Sequence, residues 1–279
     1  MTLVLTEPLA QQSPRKLSVL NTLSGVWLAV VGIAALTPGL ISGVDPEVLH
    51  PERVLLPPGE GGLLGTDQYG RGVYDLLIHG ARTAVTIGVA ATALAVLVGG
   101  LIGLLAGYSG GLIDAVVGRC LDLMLSLPGV LLALVITAAA GASVGVLIIS
   151  VATVFVAGFA RLMRSQVLAT RDRLYVEAAR SVGLSHLRIL TRHVLPNAFA
   201  PVVVLATIAV GEAILVAASL SFLGLGPKLA VPDWGQLLAS GQPYIQQSWW
   251  VSTFPGIALS LTVVAVSLLG DRLRDQIDG

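Results

Sequence analysis

Runs of residues without Asp, Glu, Lys or Arg dominate this chain and alternate with short charged segments. The longest such runs are residues 17–44, 83–113, 123–160, 193–211 and 234–270. A helix that crosses the hydrocarbon core of a bilayer needs about 20 apolar residues. The pattern therefore predicts helices that span a membrane.

The run over residues 123–160 is too long for one crossing and is predicted to divide at residues 140–143. This stretch reads Ala-Gly-Ala-Ser, and small residues with a serine favour a turn between two apolar segments. With that division the chain is predicted to be all-α and polytopic, with six transmembrane helices. Their predicted bounds are about residues 19–38, 84–107, 121–140, 144–162, 199–221 and 251–270.

These spans divide the chain into segments on the two sides of the predicted membrane. The predicted organisation is an N-terminal segment 1–18, a first helix 19–40, an outer segment 41–82, a five-helix core 83–270 that contains a loop 163–198, and a tail 271–279. Proline and glycine interrupt the outer segment, which is too small and broken for a separate soluble domain. It is either a collar that meets another protein or an inert connector.

The positions of lysine and arginine decide the predicted orientation, because positive residues in short loops stay on the cytoplasmic side. With both termini inside, the inner set is Arg15, Lys16, Arg119, Arg161, Arg164, Arg171, Arg173, Arg180, Arg188, Arg192, Arg272 and Arg274, and the outer set is Arg53, Arg71, Arg82 and Lys228. The chain is therefore predicted to be a multi-pass plasma-membrane protein with cytoplasmic termini. The first span is either a signal peptide or a retained helix; the spans that follow favour retention.

The composition agrees with a membrane protein and argues against several functional classes. Hydrophobic residues fill 55% of the 279 positions and charged residues 11%, whereas soluble domains carry about a quarter charged residues. Equal numbers of acidic and basic residues remove any overall attraction to nucleic acid. One cysteine, Cys120, and four scattered histidines favour neither a disulfide framework nor a metal centre.

The loop 163–198 carries helix-start and helix-end signals among its arginines. Asp172 is predicted to cap a first helix that Gly183 ends, since glycine readily adopts the left-handed conformation after a helix. Ser185 is predicted to cap a second helix that Pro196 closes. The two helices would form a hairpin on the cytoplasmic side of the membrane.

The residues of this hairpin match a known pattern. Glu177-Ala178-Ala179-x3-Gly183, followed by Leu195-Pro196, resembles the EAA loop of bacterial ABC importer permeases. Further matches are Gly65-Thr66-Asp67-x2-Gly70-Arg71, Ser219-Leu220-Ser221-Phe222-Leu223-Gly224-Leu225-Gly226, Asp233-Trp234-Gly235 and Gly270-Asp271-x-Leu273-Arg274-Asp275. Together they resemble the C-type permease subunit of the dipeptide, oligopeptide and nickel branch.

This resemblance implies the transmembrane domain of a type I ABC importer, in which the chain forms half of the translocation pathway. The implied partners are a second homologous permease, two ABC ATPase subunits, an extracytoplasmic substrate-binding protein and the lipid bilayer. The implied ATPase-coupling residues are Glu177, Ala178, Ala179, Arg180, Gly183, Leu195 and Pro196. Adjacent alanines offer a smooth docking patch, and Glu177 with the nearby arginines offers ion pairs to a partner.

Four outer residues are expected to contact the binding protein, and one intramembrane acid is a candidate for the pathway. The outer residues are Asp67, Arg71, Asp233 and Trp234. Glu212 stands alone in the fifth span, where an ionised side chain is costly unless it is paired or hydrated. It either lines the pathway and meets a peptide's ammonium group, or makes a structural contact between helices.

ATP is expected to bind elsewhere in the assembly. The chain has two lysines, Lys16 and Lys228, and neither lies in a Gly-x4-Gly-Lys-Ser/Thr phosphate loop. The chain is therefore expected to be non-catalytic and to hold no cofactor or metal, with ATP and Mg²⁺ in the ATPase subunits.

Other functions and substrates remain as alternatives. A secondary transporter or channel usually carries several intramembrane ionisable groups or an inverted repeat, and an enzyme needs paired catalytic groups, so the sequence favours an importer subunit. Di- or oligopeptides are the expected substrates. Nickel chelates and other small solutes remain alternatives, since the binding protein often decides substrate choice.

Overall fold

The computed structural model describes residues 14–229 and 231–278, and this part of the chain is built from helices. The α-helices are α1 (Pro14–Leu36), α2 (Pro38–Ile41), α3 (Val73–Ser109), α4 (Gly111–Ser126), α5 (Gly129–Ala140), α6 (Val144–Arg171), α7 (Leu174–Ser181), α8 (His186–Ile189), α9 (Leu195–Phe222), α10 (Trp234–Gly241) and α11 (Trp250–Asp278). A π-helical turn, Leu190–Val194, joins α8 to α9. Short 3-10 turns occupy Pro51–Arg53 and Gln242–Tyr244.

The predicted spans agree with the long helices of the described residues. Five helices are long and apolar enough to cross a membrane: Val19–Leu36, Val73–Ser109, Val144–Arg171, His186–Phe222 and Trp250–Gln276. The pair α4 and α5 supplies a sixth span if it is counted as one crossing. The all-α, polytopic fold is thereby confirmed, and the predicted division at residues 140–143 is observed, because Ser143 caps α6 by accepting a hydrogen bond from the Val146 amide.

The third predicted span, 121–140, is observed as two helices, α4 and α5, with a sharp bend between them. α4 ends at Ser126, α5 begins at Gly129, and their axes differ by 89°. Leu127 is extended because the residue before a proline is disfavoured in the helical region, and Pro128 itself has no amide hydrogen to donate. The chain turns sharply at this point instead of crossing directly.

The second predicted span is longer than expected. The sequence predicts a span over residues 84–107, but α3 begins at Val73, ends at Ser109 and contains 37 residues without a break. At 1.5 Å per residue it extends about 55 Å, well beyond a hydrocarbon core of about 30 Å. α3 therefore connects the segments at the two ends of the helix bundle.

α3 and α6 run parallel and approach each other through three glycines spaced four residues apart. A Cβ atom at Gly99 would lie 2.5 Å from the Val156 carbonyl oxygen, and one at Gly107 would lie 3.0 Å from the Arg164 carbonyl oxygen. Between them, a Cβ at Gly103 would collide with the Ala160 carbonyl oxygen. In a bilayer such close packing replaces the hydrophobic driving force that holds soluble cores together.

Two apolar clusters complete the bundle. The larger joins α3, α6 and α9 and includes Ile87, Ala91, Ala95, Phe159, Met163, Val167, Val202, Ala209 and Ala213. The second joins α1 and α11 to α3, α9 and α10, and the Trp27 indole Nε1 donates a hydrogen bond of 3.0 Å to Thr262 Oγ1 across α1 and α11. The bundle thus presents two ends, one near residue 109 and the other near residue 73.

We expect Gly103→Ala to lower the melting temperature of the detergent-solubilised protein, because its methyl group forces the α3 and α6 backbones apart. Overpacking of this kind costs about 1–3 kcal/mol. Gly100→Ala is the matched control, since a Cβ at that position meets only the flexible end of Met163, at 3.8 Å. Equal melting temperatures for the two variants would contradict the proposed close packing.

Candidate functional site

The segment of residues 172–194, which we call the coupling segment, forms one end of the bundle. It contains α7, the turn at Gly183, α8 and the π-helical turn that leads into α9. Gly183 has φ of +79°, a left-handed conformation that side chains with a Cβ rarely adopt. The predicted helix end at Gly183 is therefore confirmed.

Three details of the predicted hairpin differ in the structure. Asp172 does not cap α7: it ends α6 and lies 3.4 Å from the Arg171 Nε, while Arg173 precedes α7. Ser185 precedes α8, but its side chain makes no capping hydrogen bond. Pro196 does not close a helix but sits in the first turn of α9, where its missing amide hydrogen is tolerated. The second arm of the hairpin therefore continues directly into a membrane helix.

The coupling segment has a buried face and an exposed face. Val176, Ala179, Ile189 and Val194 are buried in the same apolar cluster as Met163 of α6. Because this inner face packs on the membrane helices, the segment is a fixed part of the bundle. The expected docking patch of two alanines is only half present, since Ala179 faces inward and Ala178 outward.

The exposed face combines apolar and charged side chains. Leu174, Val182 and Leu187 are 82%, 76% and 71% exposed. Glu177 and Arg180 are also exposed, and the described residues give neither an ion-pair partner. The other predicted coupling residues follow the same division: Gly183 and Pro196 are exposed, and Leu195 is half-buried. Exposed apolar groups rimmed by charges are typical of a protein-binding surface.

The opposite end carries a layer of loops and the short helix α10, residues 42–72 and 231–249, which we call the collar. Asp67 is buried within it: its carboxylate accepts hydrogen bonds of 2.9 Å from the amides of Tyr69 and Arg71 and pairs with the Arg71 guanidinium at 2.8 Å. The indole of Trp250, at the start of α11, donates to the Thr66 carbonyl oxygen at 3.1 Å. These bonds fold the loop and attach it to the bundle.

Asp233 and Trp234 attach the second part of the collar. Asp233 accepts a hydrogen bond of 2.7 Å from the Ser221 hydroxyl and caps α10 through the Gln236 amide at 3.0 Å. Burial raises the pKa of the Asp233 carboxyl, and the bonds from Ser221 and the backbone oppose that shift. The Trp234 indole donates to the Leu77 carbonyl oxygen of α3 at 3.0 Å.

The four residues expected to contact a binding protein are thus mostly inside the collar. Asp67, Asp233 and Trp234 are 1%, 4% and 3% exposed, and the Arg71 side chain is 10% exposed. They give the collar its shape. Their contact with a binding protein stays a prediction.

Glu212 lies on a face of α9 that is half-buried at most positions and exposed at Glu212 and Leu215. Pro201, Leu205, Ile208, Glu212, Leu215 and Ser219 follow one another at spacings of four and three, so they share one face of the helix. Glu212 is exposed and has neither a hydrogen bond nor an ion pair among the described residues. Pro201, Leu205 and Ile208 line a cavity of about 410 Å³, together with Leu162, Gln166, Val204 and Arg274.

Two ion pairs between α4 and α6 were not anticipated. Arg119 and Asp122 lie three residues apart on α4, but Asp122 pairs with Arg161, and Asp114 pairs with Arg164 at 2.7 Å. These partners lie far apart in sequence, so local spacing could not identify them. In the described part of the chain, no group of three or more His, Cys, Asp or Glu side chains is placed to hold a metal ion.

The sequence and the fold both match known transport proteins. Residues 99–279, more than half of the chain, match the family described as binding-protein-dependent transport system inner membrane component. The di/tripeptide transport system permease protein DppC of Pseudomonas aeruginosa (strain UCBPP-PA14) is 40% identical, covering 91% of this chain and 86% of its own length. The dipeptide transport system permease protein DppC of Escherichia coli (strain K12) is 39% identical with the same coverage.

A solved structure shares the fold. The MetNI methionine ABC transporter in an inward-facing conformation contains a chain that matches with a TM-score of 0.59 and 19% identity, covering 72% of this chain and 95% of that one. With this fold, the family match and two relatives of 39–40% identity over 91% of its length, the chain belongs to the inner membrane components of binding-protein-dependent transport systems.

Proposed function

We propose that the chain is the permease subunit of an ATP-driven importer for di- or oligopeptides in the bacterial plasma membrane. The observation that carries this proposal is the exposed face of the coupling segment, which is held on a buried, rigid base. Family membership supports the transport role, and the names of the relatives support the peptide substrate. Both termini lie on the cytoplasmic side.

The proposed assembly contains this chain, a second homologous permease, two ABC ATPase subunits and an extracytoplasmic binding protein. The coupling segment docks on an ATPase subunit through Leu174, Val182 and Leu187, while Glu177 and Arg180 form oriented ion pairs with it. The exposed apolar side chains provide contact area, and the charges fix the register. The chain itself is non-catalytic and binds no cofactor, because ATP and Mg²⁺ lie in the ATPase subunits.

The pathway in this proposal runs along the face of α9 that carries Glu212. An ionised glutamate facing lipid costs several kcal/mol, so Glu212 faces a hydrated pathway that the second permease completes. A carboxylate at this position attracts the ammonium group of a peptide. The cavity at the coupling-segment end of the same face is the inner part of this pathway.

In this proposal, transport results from an equilibrium between an inward-open and an outward-open state, which ATP and the binding protein shift. ATP binding closes the ATPase subunits and draws the coupling segments together, which opens the pathway toward the collar and the binding protein. Hydrolysis restores the inward-open state. A ligand shifts such an equilibrium only by its difference in affinity for the two states. The contacts between the coupling segment and the ATPase subunit must therefore differ between the inward-open and outward-open states.

We expect Glu177→Arg to prevent co-purification of the ATPase subunits while membrane insertion stays normal, because it reverses the charge at the docking surface. A fully desolvated charge that loses its partner costs about 2–5 kcal/mol at an interface, enough to remove a micromolar complex. Glu60→Arg is the control: Glu60 is also exposed but lies in the collar. Normal ATPase recovery with Glu177→Arg would contradict the assigned docking surface.

We expect Glu212→Gln to lower the maximal uptake rate of a dipeptide with a free amino terminus by about tenfold, equivalent to about 1.4 kcal/mol. Uptake is measured in proteoliposomes with saturating binding protein, so that the binding protein's own affinity does not set the rate. Thr207→Val is the control, because in the described part of the chain the Thr207 hydroxyl donates to the Val203 carbonyl oxygen of its own helix. Unchanged uptake by Glu212→Gln would contradict a role in the pathway and would indicate a structural role for Glu212.

A further inference from the structure

The end of α3 makes hydrogen bonds to residues on both sides of α7, Arg171 before it and His186 after it. Arg171, just before the segment, donates a hydrogen bond of 2.7 Å from Nη1 to the Gly107 carbonyl oxygen. Beyond α7, the Tyr108 hydroxyl lies 3.2 Å from the His186 carbonyl oxygen, to which it donates, and 3.1 Å from His186 Nδ1. Two consecutive residues of α3 therefore hold the two ends of the α7 region.

These contacts are distinctive because α3 does not lead directly into the coupling segment: α4, α5 and α6 lie between them along the chain. α6 leads directly into the segment at residue 172, and α9 leaves it at residue 194, so both helices must follow its movement. α3 can follow only through non-covalent contacts. The Tyr108 side chain also packs against the apolar cluster that buries Val176 and Ile189, and its ring meets the His186 ring edge-on with centroids 6.2 Å apart.

The other end of α3 is fastened to the collar in the same way. The Leu77 carbonyl oxygen accepts the hydrogen bond from the Trp234 indole, and the Val73 amide donates to the Gly65 carbonyl oxygen at 3.0 Å. Asp75 accepts a hydrogen bond of 2.6 Å from the Ser42 hydroxyl. One continuous helix thus contacts the coupling segment at one end and both parts of the collar at the other.

We propose that α3 is the element that carries movement of the coupling segment to the collar, and that Tyr108 is the positioning residue that fastens it. This inference rests on the proposed function, because it needs an ATPase at the coupling segment and a binding protein at the collar. The Tyr108 hydroxyl adds a directional hydrogen bond to the apolar contact between α3 and α8. Apolar packing alone lets α3 slide against α8, whereas the directional hydrogen bond from the Tyr108 hydroxyl to the His186 carbonyl oxygen fixes their register.

The test measures the coupling between the two ends in the assembled complex. The quantity is the factor by which binding protein loaded with the dipeptide Ala-Ala changes the affinity of the complex for a non-hydrolysable ATP analogue. Coupling between two sites is reciprocal, so the analogue must change the affinity for loaded binding protein by the same factor. Tyr108→Phe is expected to reduce both factors about three- to tenfold, in the range of a lost hydrogen bond, with an unchanged yield of assembled complex.

Two control variants separate this role from a merely structural one. Tyr74→Phe makes the same change on the same helix, at a hydroxyl for which the described residues provide no partner, and is expected to leave the factors unchanged. His186→Ala removes the ring but keeps the backbone acceptor, so its effect is expected to be smaller. The double variant Tyr108→Phe, His186→Ala is expected to lose no more than Tyr108→Phe alone, because the two side chains act through one contact.

The outcomes distinguish the two proposals. Wild-type coupling in Tyr108→Phe, or an equal loss in Tyr74→Phe, would overturn the role of Tyr108 while the importer assignment stands. A loss of assembled complex in Tyr108→Phe, with normal coupling in the complexes that remain, would also overturn it. Failure of the unaltered chain to associate with any ATPase would overturn the proposed function and the role of α3 with it.

Discussion

The close contact between the α3 and α6 backbones is the constraint on which the rest of the structure depends. Gly99, Gly103 and Gly107 bring α3 against Val156, Ala160 and Arg164, and a side chain at any of the three would separate the helices. Because α6 leads into the coupling segment, this contact also sets where Gly107 and Tyr108 meet that segment. The packing of helices inside the membrane therefore also fixes the position of the coupling segment outside it.

The two ends of the bundle are built on different principles. The coupling segment is held by apolar burial on its inner face and leaves its charged and apolar outer face open. The collar is held by buried polar groups, with Asp67 and Asp233 each accepting several hydrogen bonds. A buried carboxylate is costly unless its oxygens are satisfied, and these two fix irregular loops that have no sheet or long helix to shape them. Both ends are thus attached to the helix bundle, so a helix that joins them is in contact with both.

Much of this arrangement follows from the sequence, and the failures have physical reasons. The uncharged runs locate the long helices, and Gly183 and Ser143 mark the turns where they are observed, because these signals are local. The bend at Pro128 is not fixed locally, since a proline in a membrane helix either bends it slightly or breaks it. The inward face of Ala179 and the pairing of Asp122 with Arg161 depend on which helices become neighbours. The burial of Asp67 and Trp234 also depends on tertiary neighbours. Their motifs can be recognised in the sequence, but their burial cannot.

The most direct test of the central claim is native mass spectrometry of the tagged chain, extracted gently from its own cells. We expect a complex that contains a second, homologous permease, two ATPase subunits and a peptide-loaded binding protein. A single chain or a homo-oligomer, found reproducibly in several mild detergents, would contradict it.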